Sequence, residues 1–314
     1  MKIVLIGPGC MPIPPIGWGA VESLIWDYYI ELTKLGHEVH IVNTPDPHNI
    51  ITQVNSMNPD FVHVQYDDLY DVLHHIKCPR KAATAHYAYL EQPHRHGGYS
   101  RIFHGFVNGS FNIFCLSDGI KNQYRLAGVP DHRLYVVGNG ARKDQFRYTN
   151  FPSKPTRSIY LAKITDRKRQ WIYQTIEGLD FAGNRDDHRF NYENSNYIGE
   201  WSKETLYQNL TDYANLVLLS DGEADPLVTK EALIAGLGLV ISECSVANLD
   251  LSLPFITVIP TNRWNDLNYV QSEIQNNRIK SLMYRSQIRE YGVNKFSWEN
   301  IASKYVAKIN SLRQ

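Results

Sequence analysis

The sequence predicts an α/β protein built from two doubly wound, Rossmann-like domains, and three observations carry that prediction. Its 314 residues are more than one hydrophobic core usually serves. Short runs rich in Val and Ile alternate with segments of helical periodicity, the pattern of a parallel sheet covered on both faces. That alternation lapses around residues 139–155, which hold Gly140, Pro152 and Pro155, and then restarts. The chain is 43% hydrophobic and 20% charged, which excludes a disordered, collagenous or coiled-coil protein. Lys plus Arg equals Asp plus Glu, 32 each, so overall charge points to no polyanionic partner.

The elements follow in order. Residues 2–6 form an apolar run ended by Gly7-Pro8-Gly9 and read as a buried strand. Residues 20–35 place Val21, Leu24, Ile25, Tyr28 and Leu32 on one helical face, and Gly36 ends the helix. Strands are expected over 39–42, 61–64, 82–85 and 112–116, with helices over 67–76 and 118–126. After the break, strands are expected over 158–162, 179–182, 215–219 and 239–242. Helices are expected over 169–177, 205–213 and 226–235, with a last helix over 298–312. The expected domains are therefore 1–147 and 148–295, with 296–314 as a terminal helix.

Doubly wound domains bind ligands at the carboxyl ends of their strands, so chemistry is sought in the loops there. Residues 223–233 follow a strand and open a helix. Asp225 is placed to cap that helix and Pro226 to be its first residue, with Leu227 next. Its free amides suit a phosphate, with Glu223 just before them. Glu231 lies roughly 7.5 Å further along the helix. Lys163 and Lys168, beside Arg167 and Arg169, follow the strand over 158–162 and complete an anion clamp. Gly17 and Gly19, flanking Trp18, allow close backbone approach between the first strand and helix. This loop is not G-x-G-x-x-G, and no acidic residue closes the second strand, which disfavours a dinucleotide oxidoreductase. His86 ends another strand of the first domain and is placed to meet a hydroxyl or developing charge. His94, His96 and His104 have no metal-site spacing, so no metal is expected.

Taken together and in this order, these loops resemble the retaining, nucleotide-sugar-dependent glycosyltransferases of family four. Pro14-Pro15-Ile16-Gly17-Trp18-Gly19-Ala20-Val21-Glu22 is similar to that family's P-P-x-x-Y-G-G-x-E segment. Leu35-Gly36-His37-Glu38-Val39 and Asp60-Phe61-Val62-His63-Val64 match two strand leads. Leu116-Ser117 and Gly138-Asn139-Gly140 match its serine and N-G landmarks, and Phe296-Ser297-Trp298 the start of its last helix. Glu223 to Glu231 is its E-x7-E element. The resemblance implies the GT-B fold: two Rossmann-like domains facing a cleft, with the C-terminal helix crossing back to the N-domain. It implies that Glu223 meets donor-sugar hydroxyls, Glu231 the ribose, and Lys163 and Lys168 the diphosphate. Gly17 to Gly19 would close over the phosphates and His86 would sit beside the sugar. Base recognition is expected at Ile198, within Tyr197-Ile198-Gly199. It further implies retention of configuration and no cofactor or divalent metal. Three residues depart from the pattern: Lys163 replaces an arginine, Asp225 an aromatic, and Arg142 the acidic residue of N-G-V-D. Asp225 either caps the helix or alters sugar preference.

Residues 1–76 hold two lysines against nine acidic residues, a net of −7, whereas 77–147 hold eleven Lys and Arg against four, a net of +7. Tyr87, Arg95, His96 and Arg101 in the second stretch are the expected acceptor contacts. A basic, aromatic loop suits a saccharide or lipid-linked acceptor, a peripheral anionic surface, or a modified base in DNA. The plainer alternative is an acidic half packed against a basic one. A nucleotide-sugar 2-epimerase and a non-catalytic sugar-binding module share the architecture and stay open. Cys10, Cys78, Cys115 and Cys244 are scattered, and no apolar run is long enough to span a membrane, so a cytoplasmic protein is expected.

Overall fold

The computed structural model of the protein describes residues 1–17 and 19–312. The chain divides into two compact units, one of residues Met1–Asn139 together with Trp298 onward, the other of Gly140–Ser297. The first is built in chain order from β1 (Lys2–Gly7), α1 (Ala20–Lys34), β2 (Glu38–Asn43), α2 (Pro47–Met57) and β3 (Phe61–Val64). β4 (Lys81–Ala83), α3 (Ser100–Asn108), β5 (Asn112–Cys115), α4 (Asp118–Leu126) and β6 (Leu134–Val136) follow. The second holds β7 (Lys154–Leu161), α5 (Gln170–Tyr173), β8 (Leu179–Ala182), α6 (Lys203–Asn209) and β9 (Tyr213–Leu218). It continues through α7 (Leu227–Ile234), β10 (Gly238–Ser242), β11 (Ile256–Ile259), α8 (Leu267–Met283) and α9 (Arg285–Phe296). The last helix, α10 (Trp298–Ser311), packs on α1 in the first unit.

Both sheets are wholly parallel. The first has strand order β2-β1-β3-β4-β5-β6 and the second β11-β10-β9-β7-β8. Each starts with a strand, sends the next to one side, and places the third on the other side, so the two units share one winding. Strands buried on both faces need no alternation, and Ile3 to Ile6, Phe61 to Val64 and Leu216 to Leu218 are fully apolar or nearly so. The core of the first unit joins Ile3, Leu5, Leu24 and Tyr28 to Trp298, Ile301, Tyr305 and Ile309 of α10. No helix among the described residues is long and apolar enough to cross a membrane.

Several elements differ from expectation for identifiable reasons. The helix expected over 205–213 begins earlier, where Ser202 caps it by accepting from Thr205 N, and ends at Asn209. Tyr213 opens β9, whose six residues are all buried. The helix expected over 169–177 is limited to Gln170–Tyr173, and its start one residue late follows from Arg169, which is left-handed at φ 58°. The helices α2, α3, α8 and α9 and the strands β6 and β11 were not anticipated. In α8 the reason is plain: the buried face includes Asn277 and Ser281, which break the apolar period.

Asn277 is completely buried and bonded on both ends of its amide. Its Nδ2 donates to the carbonyls of Leu239 at 3.0 Å and Phe255 at 3.1 Å, while its Oδ1 accepts from Asn215 at 2.9 Å. Asn277→Leu fills the volume and strands those polar groups, so it is expected to cost about 2–3 kcal/mol. A urea midpoint equal to wild type would show that the amide does not brace the sheet.

Candidate active site

In a doubly wound sheet a crevice opens where neighbouring strands are followed by connections that leave in opposite directions. In the second unit that point lies between β7 and β9, paired through Ser158 with Asn215 and Ile159 with Leu216. The loops leaving these two strands carry Lys163 to Arg169 and Asp221 to Glu223, so the winding itself brings distant residues together.

Lys168 Nζ ion-pairs with the Glu223 carboxylate, and Arg167 Nη1 approaches the same oxygen at 3.1 Å. Arg167 also donates to Gly222 O, and Asp221 N donates back to Arg167 O at 2.8 Å. Arg169 pairs with Asp221 and lies over the Trp264 ring at 4.3 Å. Burial alone would push the Glu223 carboxyl up, but Lys168 and Arg167 outweigh it and hold it below the ordinary range. Two cations share one carboxylate, which leaves a net positive site suited to an anion. Lys163 pairs with Asp186 at 2.9 Å. Glu231 lies in α7, four residues past Leu227, with Lys203 at 4.0 Å, and burial raises its carboxyl above the ordinary value.

Asp225 does not cap the helix. α7 begins at Leu227, Pro226 occupies the cap position, and no side chain caps it. The Asp225 carboxylate pairs instead with Lys230, and both side chains are completely buried. The charge that departs from the familiar pattern therefore has its own partner five residues on. Ile198 N donates to Phe181 O at 2.9 Å, so the segment through Tyr197 and Gly199 extends the sheet beyond β8.

In the first unit, Gly17 is exposed and Gly19 is buried at the N-cap of α1, with φ 138°. Trp18 lies outside the described residues. His86 follows β4, beside the loop that follows β3. Its backbone amide donates to both carboxylate oxygens of Asp67 at 3.2 Å, and its Nε2 lies 3.4 Å from Gln65 Oε1. Gln65 Nε2 in turn lies 3.1 Å from His63 Nδ1. The side chains of His63, Gln65, Thr84 and His86 line one pocket with Leu24, Tyr28 and Asn139.

The expected acceptor residues form a folded aromatic loop. Tyr87 stacks on Tyr99 at 3.9 Å, Arg95 covers Tyr89 at 3.9 Å, and His96 is buried. Tyr99 Oη donates to Asp67 at 2.5 Å, and Arg101 is exposed. Several cations of the basic stretch around them are engaged by the protein's own backbone. Arg133 donates to the carbonyls of Phe106, Val107 and Phe111, Lys81 to those of Leu73 and Ile76, and Arg80 to Asp60 O. Arg142, Lys143 and Arg147 belong to the second unit.

Residues that position this chemistry were not visible in the sequence. Tyr160 is fully buried in β7; its hydroxyl donates to Lys168 O and accepts from Leu219 N at 2.9 Å, joining the two loops. Gln170 Nε2 holds Lys163 O at 2.9 Å. The only hint for Tyr160 is that a tyrosine in an otherwise apolar strand needs a partner for its hydroxyl.

Lys230→Met strands a buried carboxylate and is expected to destabilise by about 3–5 kcal/mol. Asp225→Phe combined with Lys230→Leu removes both charges and is expected to recover most of that loss in chemical denaturation. A Lys230→Met protein of undiminished stability would refute the pairing.

No protein-family profile matches the sequence, and no curated protein does either. Solved structures do match over nearly the whole chain. A sucrose-phosphate synthase from Thermosynechococcus elongatus is 15% identical at a TM-score of 0.74, covering 99% of this chain and 98% of that one. HepE of Anabaena, solved with UDP-glucose, is 13% identical at a TM-score of 0.73, covering 99% and 100%. AviGT4, a glycosyltransferase of avilamycin A biosynthesis, is 15% identical at a TM-score of 0.71, covering 99% and 97%. The chain has the two-domain α/β architecture of these proteins, the GT-B fold.

Proposed function

We propose that the protein is a retaining, metal-independent glycosyltransferase of family four, moving a sugar from a nucleotide-diphosphate donor to an acceptor hydroxyl. The observation that carries this reading is the Lys168–Arg167–Glu223 cluster at the switch point of the second unit. Departure of the nucleotide concentrates negative charge on the diphosphate, and Lys168 and Arg167 stabilise it as it forms. Glu223, kept ionised by those cations, accepts from sugar hydroxyls, and Glu231 takes the ribose. The backbone at Ile198 meets the base, and Lys163 adds a further positive contact. In this reading the second unit is the donor domain and the first the acceptor domain. There, His86 and the loop bearing Tyr87, Arg95, His96 and Arg101 serve the sugar and the acceptor. The incoming hydroxyl loses its proton to the departing diphosphate, and the chain contributes orientation and charge.

A saccharide or lipid-linked acceptor fits better than nucleic acid. Arg80, Lys81 and Arg133 already donate to backbone carbonyls, which leaves less basic surface for a polyanion.

Thermal unfolding against UDP, GDP, ADP and their glucose conjugates tests the donor site. Ligand at 100 times its Kd adds about 2.7 kcal/mol, several degrees in the midpoint. Lys168→Ala and Glu223→Ala are each expected to abolish transfer with the fold intact, and wild-type rates in either would refute the assignment. Consumption of donor without acceptor, giving an epimer, would point to the epimerase reading. Because burial raises Glu231, nucleotide affinity is expected to fall on acidification at a pH above the ordinary glutamate range. Glu231→Gln should remove that acid limb, measured by calorimetric titration with the nucleotide.

A further inference from the structure

The start of α4 lies at the ligand-binding edge of the first sheet. The helix follows β5 directly, and β5 pairs with β4, the strand that leads to His86. Leu116 and His86 line one pocket, so the first turn of α4 borders the histidine expected beside the sugar. A helix start at the carboxyl edge of a parallel sheet presents unpaired amides and the positive end of a dipole, which is where an anion ordinarily binds.

In this chain a side chain of the protein already holds that place. Ser117 caps α4, its Oγ accepting from Ile120 N at 3.1 Å and donating to Glu91 Oε1 at 2.8 Å. Glu91 stands on an exposed turn, where Gln92 N donates to Tyr89 O at 2.8 Å, yet its carboxylate reaches a serine only 4% exposed. Gly119 shows how closely it lies. A Cβ there would stand 2.2 Å from Glu91 Oε2 and 2.4 Å from its Cδ, well inside van der Waals contact. Gly119 sits within α4 and has no left-handed backbone, so the requirement is for space alone.

Charge around the turn points the same way. Asp118 adds a second carboxylate to the first turn, and Lys121, the next cation along α4, faces Asp131 at 3.6 Å. About half a unit of positive charge at the helix start is therefore met by two full negative charges. The base of the loop is fixed as well. Tyr99 Oη donates to Asp67, which also grips the His86 main chain, and Tyr87 stacks on Tyr99. The turn that carries Glu91 is thus held where its carboxylate meets α4.

We propose that Glu91 is a specificity-determining residue whose carboxylate closes the start of α4 to phosphate and other anions, so that the acceptor is uncharged where it meets the His86 edge. A neutral saccharide hydroxyl enters there, and a sugar phosphate gains nothing from its charge. The exclusion of anions concerns the first unit alone; its meaning for an acceptor rests on the function proposed above.

Titration of the full chain with inorganic phosphate at constant ionic strength tests the exclusion, with nitrogen-15 glycine labelling placing a probe at Gly119. The wild-type Gly119 amide is expected to show no saturable shift. Glu91→Ala empties the place, and its Gly119 amide is expected to shift saturably, with phosphate bound at least about tenfold more tightly than in wild type, the scale of one charge at a partly buried helix end. Glu91→Gln keeps the bond from Ser117 and removes only the charge, and is expected to fall between the two. A saturable shift at wild-type Gly119 overturns the proposal, as does a folded Glu91→Ala protein without the gain. Should Glu91→Ala fail to fold, Glu91→Gln decides by the same reading.

Glucosyl transfer from UDP-, GDP- and ADP-glucose to glucose and to glucose 6-phosphate reads the consequence. Wild type is expected to favour glucose in kcat/KM, and Glu91→Ala to move the ratio about tenfold toward glucose 6-phosphate. An unchanged ratio overturns the role in acceptor choice. Absence of transfer to either sugar, with the phosphate gain at Gly119 present, counts against the proposed function alone.

Discussion

The all-parallel winding of the two sheets is the constraint on which everything else depends. Parallel pairing sends every strand's carboxyl end to the same edge, and placing β9 beside β7 rather than beside β8 sets two outgoing loops side by side. Lys168 and Glu223 are 55 residues apart in sequence, yet share one hydrogen bond because of that order. The same winding in the first unit sets β3 beside β4, which brings Gln65 and Asp67 to His86. Chemistry in each unit is thus a property of strand order before it is a property of any side chain.

Two ion pairs in the second unit show how location decides meaning. Lys230 and Asp225 have no exposure, so neither charge is available and the pair acts as a single neutral piece of the core. Lys168 and Glu223 lie at the rim of the sheet, 12% and 9% exposed, and Arg167 beside them is 34% exposed. There the spare positive charge remains accessible. A departure from a familiar motif at Asp225 therefore need not alter the ligand surface; it is answered within the helix that follows.

What was legible in the sequence was the alternation of buried strands with helices and the E-x7-E spacing, because both are short-range patterns. Residues 61–64, 118–126 and 179–182 match their elements as read. The polar helix α8 was not legible, since its inward face carries Asn277, which donates to the carbonyls of Leu239 and Phe255, and Ser281, which donates to the Asn277 amide oxygen, a polar pattern indistinguishable from a loop. Asp225 looked like a cap because aspartate before proline usually is one; its buried lysine partner appears only once α7 has formed. The charge segregation of residues 77–147 suggested an anion-binding face, but a formal charge says nothing of partners, and several of those cations end on carbonyl oxygens. Tyr160, Gln65 and Asp67 escaped notice because Leu219, His86 and Tyr99, to which they bind, lie on other strands, loops or turns and meet them only in the folded chain.

The first unit is discontinuous along the chain, and this bears on how the protein is made. Trp298, Ile301, Tyr305 and Ile309 sit in its core beside Ile3 and Leu5, although nearly the whole second unit is synthesised between them. During translation the first unit waits with its apolar surface incomplete, whereas the second, a continuous stretch from Gly140 to Ser297, has all its strands as soon as it emerges. The unit begun first is therefore the unit finished last. Strand β1 is made long before α10, so its apolar face is exposed to aggregation until the whole second unit and then α10 have been synthesised.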